Sequence, residues 1–308
     1  MRCAWENLES TLGTYTFSAL DANISKVIGW GKRVAISLNI TGYTPATTHS
    51  RLPNYIVSDH VTYGGIAGHG GELQSKVGDG YPQYNTVNLW NTAVYNRFKA
   101  LIDALAAQYN GVVEYIHFDE MITQVSGADV DTYIAGGLTA VASKQLEVYN
   151  YISSKFTNST VFVKMNYLSG NGDTRGAVLA NLESHKVNGK TGAVELAFPS
   201  TGNLNYPNFT PNISNDHLDN THSLLRTFPP AQRRYFHAEA AVTSTFSDTS
   251  SAVQNRQAIR WASYMSQGCN NPIFRITIND GIGGGPGASN YGLQWAALSP
   301  YLTSRYLR

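Results

Sequence analysis

Charged residues are scarce in this chain of 308 residues. They make up 14% of the sequence, and the formal net charge is only +1. A protein that binds nucleic acid or an anionic membrane mainly by electrostatic attraction carries a clear excess of positive charge. The composition therefore excludes both as the main partner and favours a neutral ligand.

Long apolar segments are also missing. No run approaches the roughly 20 apolar residues of a membrane-spanning helix, and the opening Met-Arg-Cys-Ala-Trp lacks the apolar segment of a signal peptide. Asn, Ser, Thr, Tyr and Gly are abundant instead, which favours an extracellular or surface-associated protein. Sequons for N-glycosylation occur at Asn23, Asn39, Asn158, Asn208 and Asn212, although such tripeptides also arise by chance in an Asn- and Thr-rich chain.

Cysteine is nearly absent. Cys3 and Cys269 lie near opposite ends of the chain and have no C-x-x-C spacing, which argues against a structural zinc site or a redox motif. They either form one disulfide or are two buried thiols, and the sequence leaves both open. Since the eight histidines show no H-x-x-x-H or H-E-x-x-H spacing, we expect neither a metal nor another cofactor.

Strand-like and helix-like segments alternate along the chain, which is typical of a parallel sheet with crossover helices. The predicted strands are 2–5, 33–40, 112–120, 160–166, 192–198, 234–242 and 271–279. The predicted helices are 91–109, 131–156, 175–184, 218–226, 251–267 and 292–307. This pattern predicts an α/β fold, a (β/α)8 barrel of the TIM type. A closed barrel needs one strand more, so either a strand before residue 1 is lacking, or a segment interpreted as loop supplies it, or the barrel is incomplete at its N-terminus.

No internal repeat and no linker-like change of composition divides the chain, which predicts a single domain over residues 1–308. Residues 41–88 have no helical period and are rich in glycine, tyrosine and histidine, so they are predicted to form a long loop excursion. A loop of this length in a compact domain is either functional or a sign that short elements have been missed.

Two strands far apart in the sequence both end near carboxylates. The run V-V-E-Y-I-H-F-D-E ends on Asp119 and Glu120, and the predicted strand 234–242 carries Glu239. A parallel strand exposes its carboxyl end at the rim of the sheet, where barrel enzymes keep their catalytic side chains. Two carboxylates that meet across a cleft are the minimum equipment for glycoside hydrolysis.

Each of these strands also carries a histidine on the same face as an acid. His117 precedes Asp119 by two positions, and His237 precedes Glu239 by two. Such a histidine either contacts a substrate hydroxyl and tunes the acid, or is a core side chain with satisfied hydrogen bonds. The sequence leaves these alternatives open.

The beginning of the chain has a more specific pattern. In order, it contains Trp5, Leu8-Glu9, Gly13-Thr-Tyr15-Thr-Phe17, Leu20-Asp21 and Gly31-Lys32. This series resembles the second-strand region of clan A glycoside hydrolases, especially the β-galactosidase-like and related (β/α)8 retaining enzymes. The resemblance implies that the first strand of the barrel is lacking in this chain.

The resemblance also implies roles for the two glutamates. Glu120 would be the general acid/base at the end of the fourth strand, and Glu239 the nucleophile at the end of the seventh. Asp119 departs from the family, which has Asn at this position. An ionised Asp accepts a hydrogen bond from a sugar hydroxyl but cannot donate one, and its charge favours the protonated form of the neighbouring Glu120.

Sugar sites combine aromatic faces with amides and acids. We therefore expect substrate contacts from Asp119, His117 and His237, and from a further set of strand-end residues: Trp5, Glu9, Asn39, Asn166, Tyr167, Arg275, Asn279 and Asp280. The glycine-rich stretch 279–287 lacks the Gly-Lys-Ser/Thr ending of a phosphate-binding loop, so a nucleotide is not expected there.

Two functions fit these residues. The first is a retaining glycoside hydrolase that cuts a neutral oligo- or polysaccharide without a cofactor. The second is a catalytically degenerate barrel that serves as a carbohydrate-binding, adhesive or structural surface, which the Asp119 departure and the lacking first strand favour. Carbohydrate is the expected partner in both cases, and the sequence does not predict an oligomeric state.

Overall fold

The computed structural model of the chain describes residues 2–31, 33–40, 51–66, 69–75, 84–118, 134–165, 191–196, 233–239 and 273–277. The chain divides into two compact units, Met1–Thr191 and Gly192–Arg308, and each is described by itself. Within the described ranges, no helix is both long and apolar enough to cross a membrane.

The first unit alternates strands and helices, with a group of short elements in its middle. In chain order the elements are β1 (Arg2–Ala4), α1 (Trp5–Leu8), α2 (Ser18–Gly29), β2 (Ala35–Asn39), α3 (Asn54–Val57), α4 (His60–Tyr63), β3 (Gly65–Ile66), β4 (His69–Gly70), β5 (Glu72–Ser75), β6 (Tyr84–Val87), α5 (Thr92–Tyr109), β7 (Tyr115–Phe118), α6 (Gly137–Lys155) and β8 (Thr160–Met165).

A parallel sheet organises this unit. Its strand order is β1, β2, β7, β8, and all three pairings are parallel. The predicted alternation of strands and crossover helices is therefore confirmed over the described part of this unit. Because the strands are parallel, the carboxyl ends of β1, β2 and β7, at Ala4, Asn39 and Phe118, lie along the same edge of the sheet.

The sheet has an apolar face and a polar face. Ile36 and Ile116 are register partners and are buried in the hydrophobic core with Leu38. Ser37 and His117 are also register partners, and both are buried although they are polar. Alternate residues of a strand point to opposite faces, so the polar positions lie opposite the apolar core. Burial of both faces is what a sheet closed into a barrel requires.

Helix α5 buries one stripe of apolar residues in the same hydrophobic core, as its sequence period predicts. Val94, Phe98, Leu101 and Leu105 have almost no exposed surface. Their spacing of three and four places them on one stripe of the helix, where burial stabilises both the helix and its packing. The side chain of Asn91 begins the helix by accepting hydrogen bonds from the backbone N–H groups of the second and third helical residues, at 2.9 and 3.1 Å. The predicted helix 91–109 is confirmed.

Some predicted boundaries are wrong. Trp5 was predicted to end the first strand but begins α1. Val112 and Val113 were predicted to begin a strand, but both donate backbone hydrogen bonds to the carbonyl of Tyr109 and form a turn after α5. Gly111 in this turn has a φ of 83°. Two successive valines, which have good strand propensity, therefore form part of the turn that ends the helix, and β7 begins only at Tyr115.

Helix α6 also begins later than the prediction of 131–156. It begins at Gly137, after a turn at 134–136, while residues 131–133 lie outside the described residues. Gly136 has a φ of 94°, which is incompatible with a continuing right-handed helix.

The segment predicted as a long loop, 41–88, contains regular structure where it is described. It has two short helices, α3 and α4, and two antiparallel pairs, β3 with β4 and β5 with β6. Leu52, Ile56, Tyr63 and Leu73 from this segment are buried in the core. These elements have only two to four residues each, which is too short for sequence periodicity to reveal them.

Glycine permits close packing in this segment. A Cβ atom on Gly70 would lie 2.3 Å from the carbonyl oxygen of Ile56 in α3, a distance that no side chain can occupy. The Gly70 backbone therefore approaches α3 more closely than any other residue type allows.

The second unit contains three described strands, β9 (Thr191–Leu196), β10 (Arg233–Glu239) and β11 (Ile273–Thr277). They pair in parallel, with β10 between the other two. Strands were predicted at each of these places and are confirmed over the described residues, while the predicted strand residues 197–198, 240–242, 271–272 and 278–279 lie outside them. The predicted helices 175–184, 218–226, 251–267 and 292–307 lie outside the described residues, and the single-domain organisation stays a prediction.

Candidate active site

The carboxyl edge of the first unit's sheet carries several predicted site residues. Asn39 ends β2 beside Ala4 of β1, and only 5% of its surface is exposed. His117 lies one residue before the end of β7 and is 7% exposed. Strand β7 ends at Phe118, so Asp119 and Glu120 follow it directly in the sequence. These two residues lie outside the described residues.

Trp5 and Glu9 lie just after β1 and are joined to each other. The indole N–H of Trp5 donates to Oε2 of Glu9 at 2.9 Å, and the backbone N–H of Gly13 donates to Oε1 at 3.0 Å. Neither Trp5 nor Glu9 has exposed surface. Trp5 also packs edge-on against Phe98 of α5, with ring centroids 5.8 Å apart.

Arg97 of α5 supplies the positive charge that balances Glu9. Its Nη2 forms an ion pair with Oε1 of Glu9, and 21% of the Arg97 side chain is exposed. The guanidinium also donates to the hydroxyl oxygens of Tyr15 and Tyr55, both at 3.2 Å. Burial raises the pKa of the Tyr55 hydroxyl, which keeps it neutral over the physiological range. We call these five residues, Trp5, Glu9, Tyr15, Tyr55 and Arg97, the buried polar cluster.

The contacts of the buried polar cluster are those of structural residues. Both carboxylate oxygens of Glu9 are engaged by protein donors, and a buried charge needs such partners to offset its loss of hydration. Substrate binding by Trp5 and Glu9 stays a prediction, while their part in the core is observed. Arg97 was not among the residues predicted from the sequence. The signal was a charged residue next to Val94 and Phe98 in the apolar stripe of an otherwise regular amphipathic helix.

In the second unit, Glu239 is the last residue of β10 and is in register with Thr277 of β11. Its position at a strand's carboxyl end is therefore confirmed. His237 is in register with Arg275 on one side and with Glu195 of β9 on the other. Glu195, His237 and Arg275 are thus register partners and form one row of residues across three neighbouring strands. Glu195 was not among the predicted site residues, because nothing local distinguishes it from an ordinary strand glutamate.

The remaining predicted residues are outside the described residues: Asn166, Tyr167, Asn279 and Asp280. Cys269 lies outside them as well. The Cys3 thiol is half-buried and donates a weak hydrogen bond to the carbonyl of Ser37, at 3.7 Å. Across the part of the chain that the structure describes, no three His, Cys, Asp or Glu side chains are grouped so that they could hold a metal ion.

Comparison with known proteins finds similar structures but no similar sequences. No family model matches the chain, and no curated protein matches its sequence. The catalytic domain of β-amylase from Paenibacillus polymyxa matches with a TM-score of 0.57 and 11% identity, over 98% of this chain and 89% of that chain.

Two further solved structures have lower scores. The catalytic core of xylanase A has a TM-score of 0.48 and 11% identity, over 89% of this chain and 75% of that one. A GH10 structure from Paenibacillus barcinonensis has a TM-score of 0.47 and 11% identity, over 98% and 86%. These two scores are too low to carry an argument. The β-amylase match is sufficient for the fold, and the predicted fold class is confirmed: the chain is an α/β protein of the (β/α) TIM-barrel type.

Proposed function

We propose that the chain is a glycoside hydrolase that cuts a neutral oligo- or polysaccharide. The observation that carries the proposal is the fold, which most of the chain shares with the catalytic domain of an amylase. Fold alone does not determine chemistry, so the proposal also rests on carboxylates at strand ends. Glu239 ends β10, and Glu120 follows β7 by two positions.

The proposed mechanism is retaining and uses these two glutamates. The carboxylate of Glu239 attacks the anomeric carbon and forms a glycosyl ester, while Glu120 gives its proton to the departing glycosidic oxygen. Glu120 then takes a proton from water, and this water attacks the anomeric carbon and releases Glu239 as a carboxylate. A retaining pair requires carboxyl groups about 5 to 5.5 Å apart, and a wider pair would leave room for the water of an inverting reaction.

Polar groups near the same strand ends would bind the sugar hydroxyls. Asn39 and His117 are proposed for this role in the first unit, and His237 and Arg275 in the second. An amide both donates and accepts hydrogen bonds, as a sugar hydroxyl does. The low charge of the chain agrees with a neutral substrate, and its Asn- and Thr-rich composition supports a role outside the cell or at its surface.

Replacement of each glutamate by glutamine tests the mechanism. Hydrolysis of a panel of neutral oligosaccharides, including maltotetraose, xylotetraose and cellotetraose, is measured for the wild type, E120Q and E239Q. We expect both variants to lose orders of magnitude in turnover, because each lacks one half of the acid and nucleophile pair. The matched control is E147Q, since Glu147 is on the surface of α6, half-exposed and paired with Lys144.

The stereochemistry of the product tests the retaining assignment. NMR of the first-formed sugar should show the anomeric configuration of the substrate. In E239A, added azide should act in place of the lost carboxylate and give a glycosyl azide of inverted configuration. Wild-type turnover in both E120Q and E239Q would sink the proposal. Binding of the oligosaccharides by a wild-type protein that hydrolyses none of them would support the catalytically degenerate barrel instead.

A further inference from the structure

A cavity of about 360 Å³ lies beside the carboxyl end of β1 in the first unit. Among the described residues, its wall comes from β1, α1, the first two turns of α2 and the end of β2, together with Thr16 just before α2 and Arg51 before α3. This volume is at the lower end of the range for small-molecule sites, about 300 to 1,000 Å³. The cavity is therefore large enough for a small ligand, about the size of a single sugar ring.

The polar part of the wall consists mainly of amides. Asn7, Asn23 and Asn39 line the cavity together with the hydroxyl residue Thr16. Each amide presents a carbonyl acceptor and an NH2 donor, and a hydroxyl group can use both. Asn7 and Asn23 have exposed surface, so a solute can reach them. Asn39 is buried at the carboxyl end of β2.

The apolar part of the wall is formed by Leu8 and Leu20 with small alanines. Both leucines are buried in the core, with 4% and 5% of their surface exposed. A wall with apolar carbon on one side and amides on another suits a pyranose or furanose ring. The C–H groups of such a ring are apolar, and its hydroxyl groups project outward.

The charge of the wall argues against an ionic ligand. Arg51 is the only ionisable wall residue of Arg, Lys, Asp or Glu type among those described, and its Nη1 is 2.9 Å from Oε1 of Glu6. This exposed ion pair balances the positive charge. The described wall residues therefore offer an ammonium no acid, and they offer an anion one arginine that already has an acidic partner.

From these contacts we propose that the cavity is a binding site for one ring of a neutral sugar. The inference deepens the proposed function, on which the choice of sugar probes rests. Of the predicted substrate residues that the structure describes, only Asn39 belongs to this wall. The cavity would hold a ring through Asn7, Thr16, Asn23 and Asn39 and contribute affinity for a longer carbohydrate.

Ligand-observed NMR with the full chain tests the inference. The probes are glucose, xylose and galactose, with maltose as a two-ring probe, and the protein is the E239Q variant so that no probe is consumed. The chain is produced without N-glycosylation, because Asn23 is part of a sequon and a glycan there would block the cavity. We expect saturable binding of at least one probe in the millimolar range or tighter.

Two alanines of α2 that are three residues apart give a matched pair of variants. Ala19 lines the cavity, while Ala22 is not among its wall residues, and both are exposed. In the E239Q background, A19L should weaken probe binding by tenfold or more because its side chain fills the cavity, and A22L should not. N7A/N23A should also weaken binding, by removing the two accessible amides without adding bulk.

The outcomes separate this inference from the proposed function. Binding of probes by E239Q that A19L abolishes supports the cavity even if the wild-type protein hydrolyses no glycoside. Hydrolysis by the wild-type protein, with equal probe binding in A19L and A22L, refutes the cavity and leaves the hydrolase. The cavity is also refuted if no probe binds to the E239Q chain.

Discussion

Glu9 and Arg97 form an ion pair in which the carboxylate has no exposed surface and the guanidinium is 21% exposed. The pair joins the segment after β1 to helix α5, two parts of the chain that are 88 positions apart. The indole N–H of Trp5 and the backbone N–H of Gly13 complete the hydrogen bonds of the carboxylate. The structure of the segment after β1 therefore depends on Arg97, a residue of helix α5.

Removing one member of this pair should destabilise the fold. In E9Q the Arg97 charge would keep its position without a counter-charge, and we expect a loss of about 3 to 5 kcal/mol in the free energy of unfolding, measured with urea. The control is E6Q, which breaks the exposed pair of Glu6 with Arg51 and should cost less than about 1 kcal/mol. Equal losses would show that Glu9 is not held as described. An unchanged stability with a raised KM would instead support Glu9 as a substrate-binding residue.

The cap of α5 provides a second test. Asn91 accepts two backbone hydrogen bonds at the start of the helix, so N91A should lower the free energy of unfolding by about 0.5 to 2 kcal/mol. N91D retains an acceptor and should restore most of this loss, since a negative charge is also favourable at a helix N-terminus. The measurement is urea unfolding followed by circular dichroism. A loss in N91D as large as that in N91A would contradict the capping role.

Replacement by alanine should lower the stability of the protein at Gly70 but not at Gly29. G70A places a Cβ 2.3 Å from the Ile56 carbonyl oxygen, so the backbone must move and the melting temperature should fall by several degrees. G29A, at the last position of α2, meets nothing within 4 Å and lies in a conformation open to alanine. Because alanine favours the helix, G29A should leave stability unchanged or raise it by up to about 1 kcal/mol. A melting temperature for G70A at or above the wild-type value would refute the close approach.

Tyr115 should contribute to loss of stability in alkali. Burial, followed by its hydrogen bond to Glu114, raises the pKa of its hydroxyl to about 12. The ordinary value is about 10, so the folded state keeps this proton to a higher pH than the unfolded state does. The stabilising effect is complete below pH 10 and is lost as the pH rises through 12.

Comparison of the wild type with Y115F isolates this contribution from those of other buried tyrosines. Below pH 10, Y115F should be less stable by about 1 kcal/mol, because it lacks the hydrogen bond to Glu114. Between pH 10 and 12 the difference should shrink and then change sign, since only the wild type loses stability through the Tyr115 proton and a change of one in pKa corresponds to about 1.4 kcal/mol. Urea midpoints measured over this range check the prediction, and a constant difference would contradict it.

The row of Glu195, His237 and Arg275 leads to a prediction about activity. Neighbouring strands lie about 4.8 Å apart, a distance at which charged groups influence one another. If the proposed hydrolase is active, we expect E195Q to lower turnover less than E239Q does and to shift the pH profile of kcat/KM. The measurement is the pH profile of both variants beside E147Q. A profile of E195Q that superimposes on the wild type would show that the row plays no part.

The sequence was sufficient to predict the features that follow from a regular spacing of apolar residues or from the order of the segments. The stripe of Val94, Phe98, Leu101 and Leu105 repeats every three or four residues, so the helix and its buried face could be inferred without any knowledge of its partners. The order of strands and helices was likewise sufficient for the fold class. Glu239 at a strand's carboxyl end was also predictable, because the aromatic residues Tyr235 and Phe236 precede it in the sequence.

The tertiary structure alone decided which distant residues meet. The pairing of Glu9 with Arg97, the row through Glu195 and the approach of Gly70 to Ile56 join separate elements, and no local pattern encodes the register or distance between them. The turn at Val112 and Val113 has the same origin, since strand propensity is weaker than the requirements of a helix end and the packing around it. Composition and periodicity determined a neutral, alternating α/β chain with acids at its strand ends. Packing determined which of its polar groups are held in the core and which line a cavity, because burial of a charge depends on partners that only the folded chain brings together.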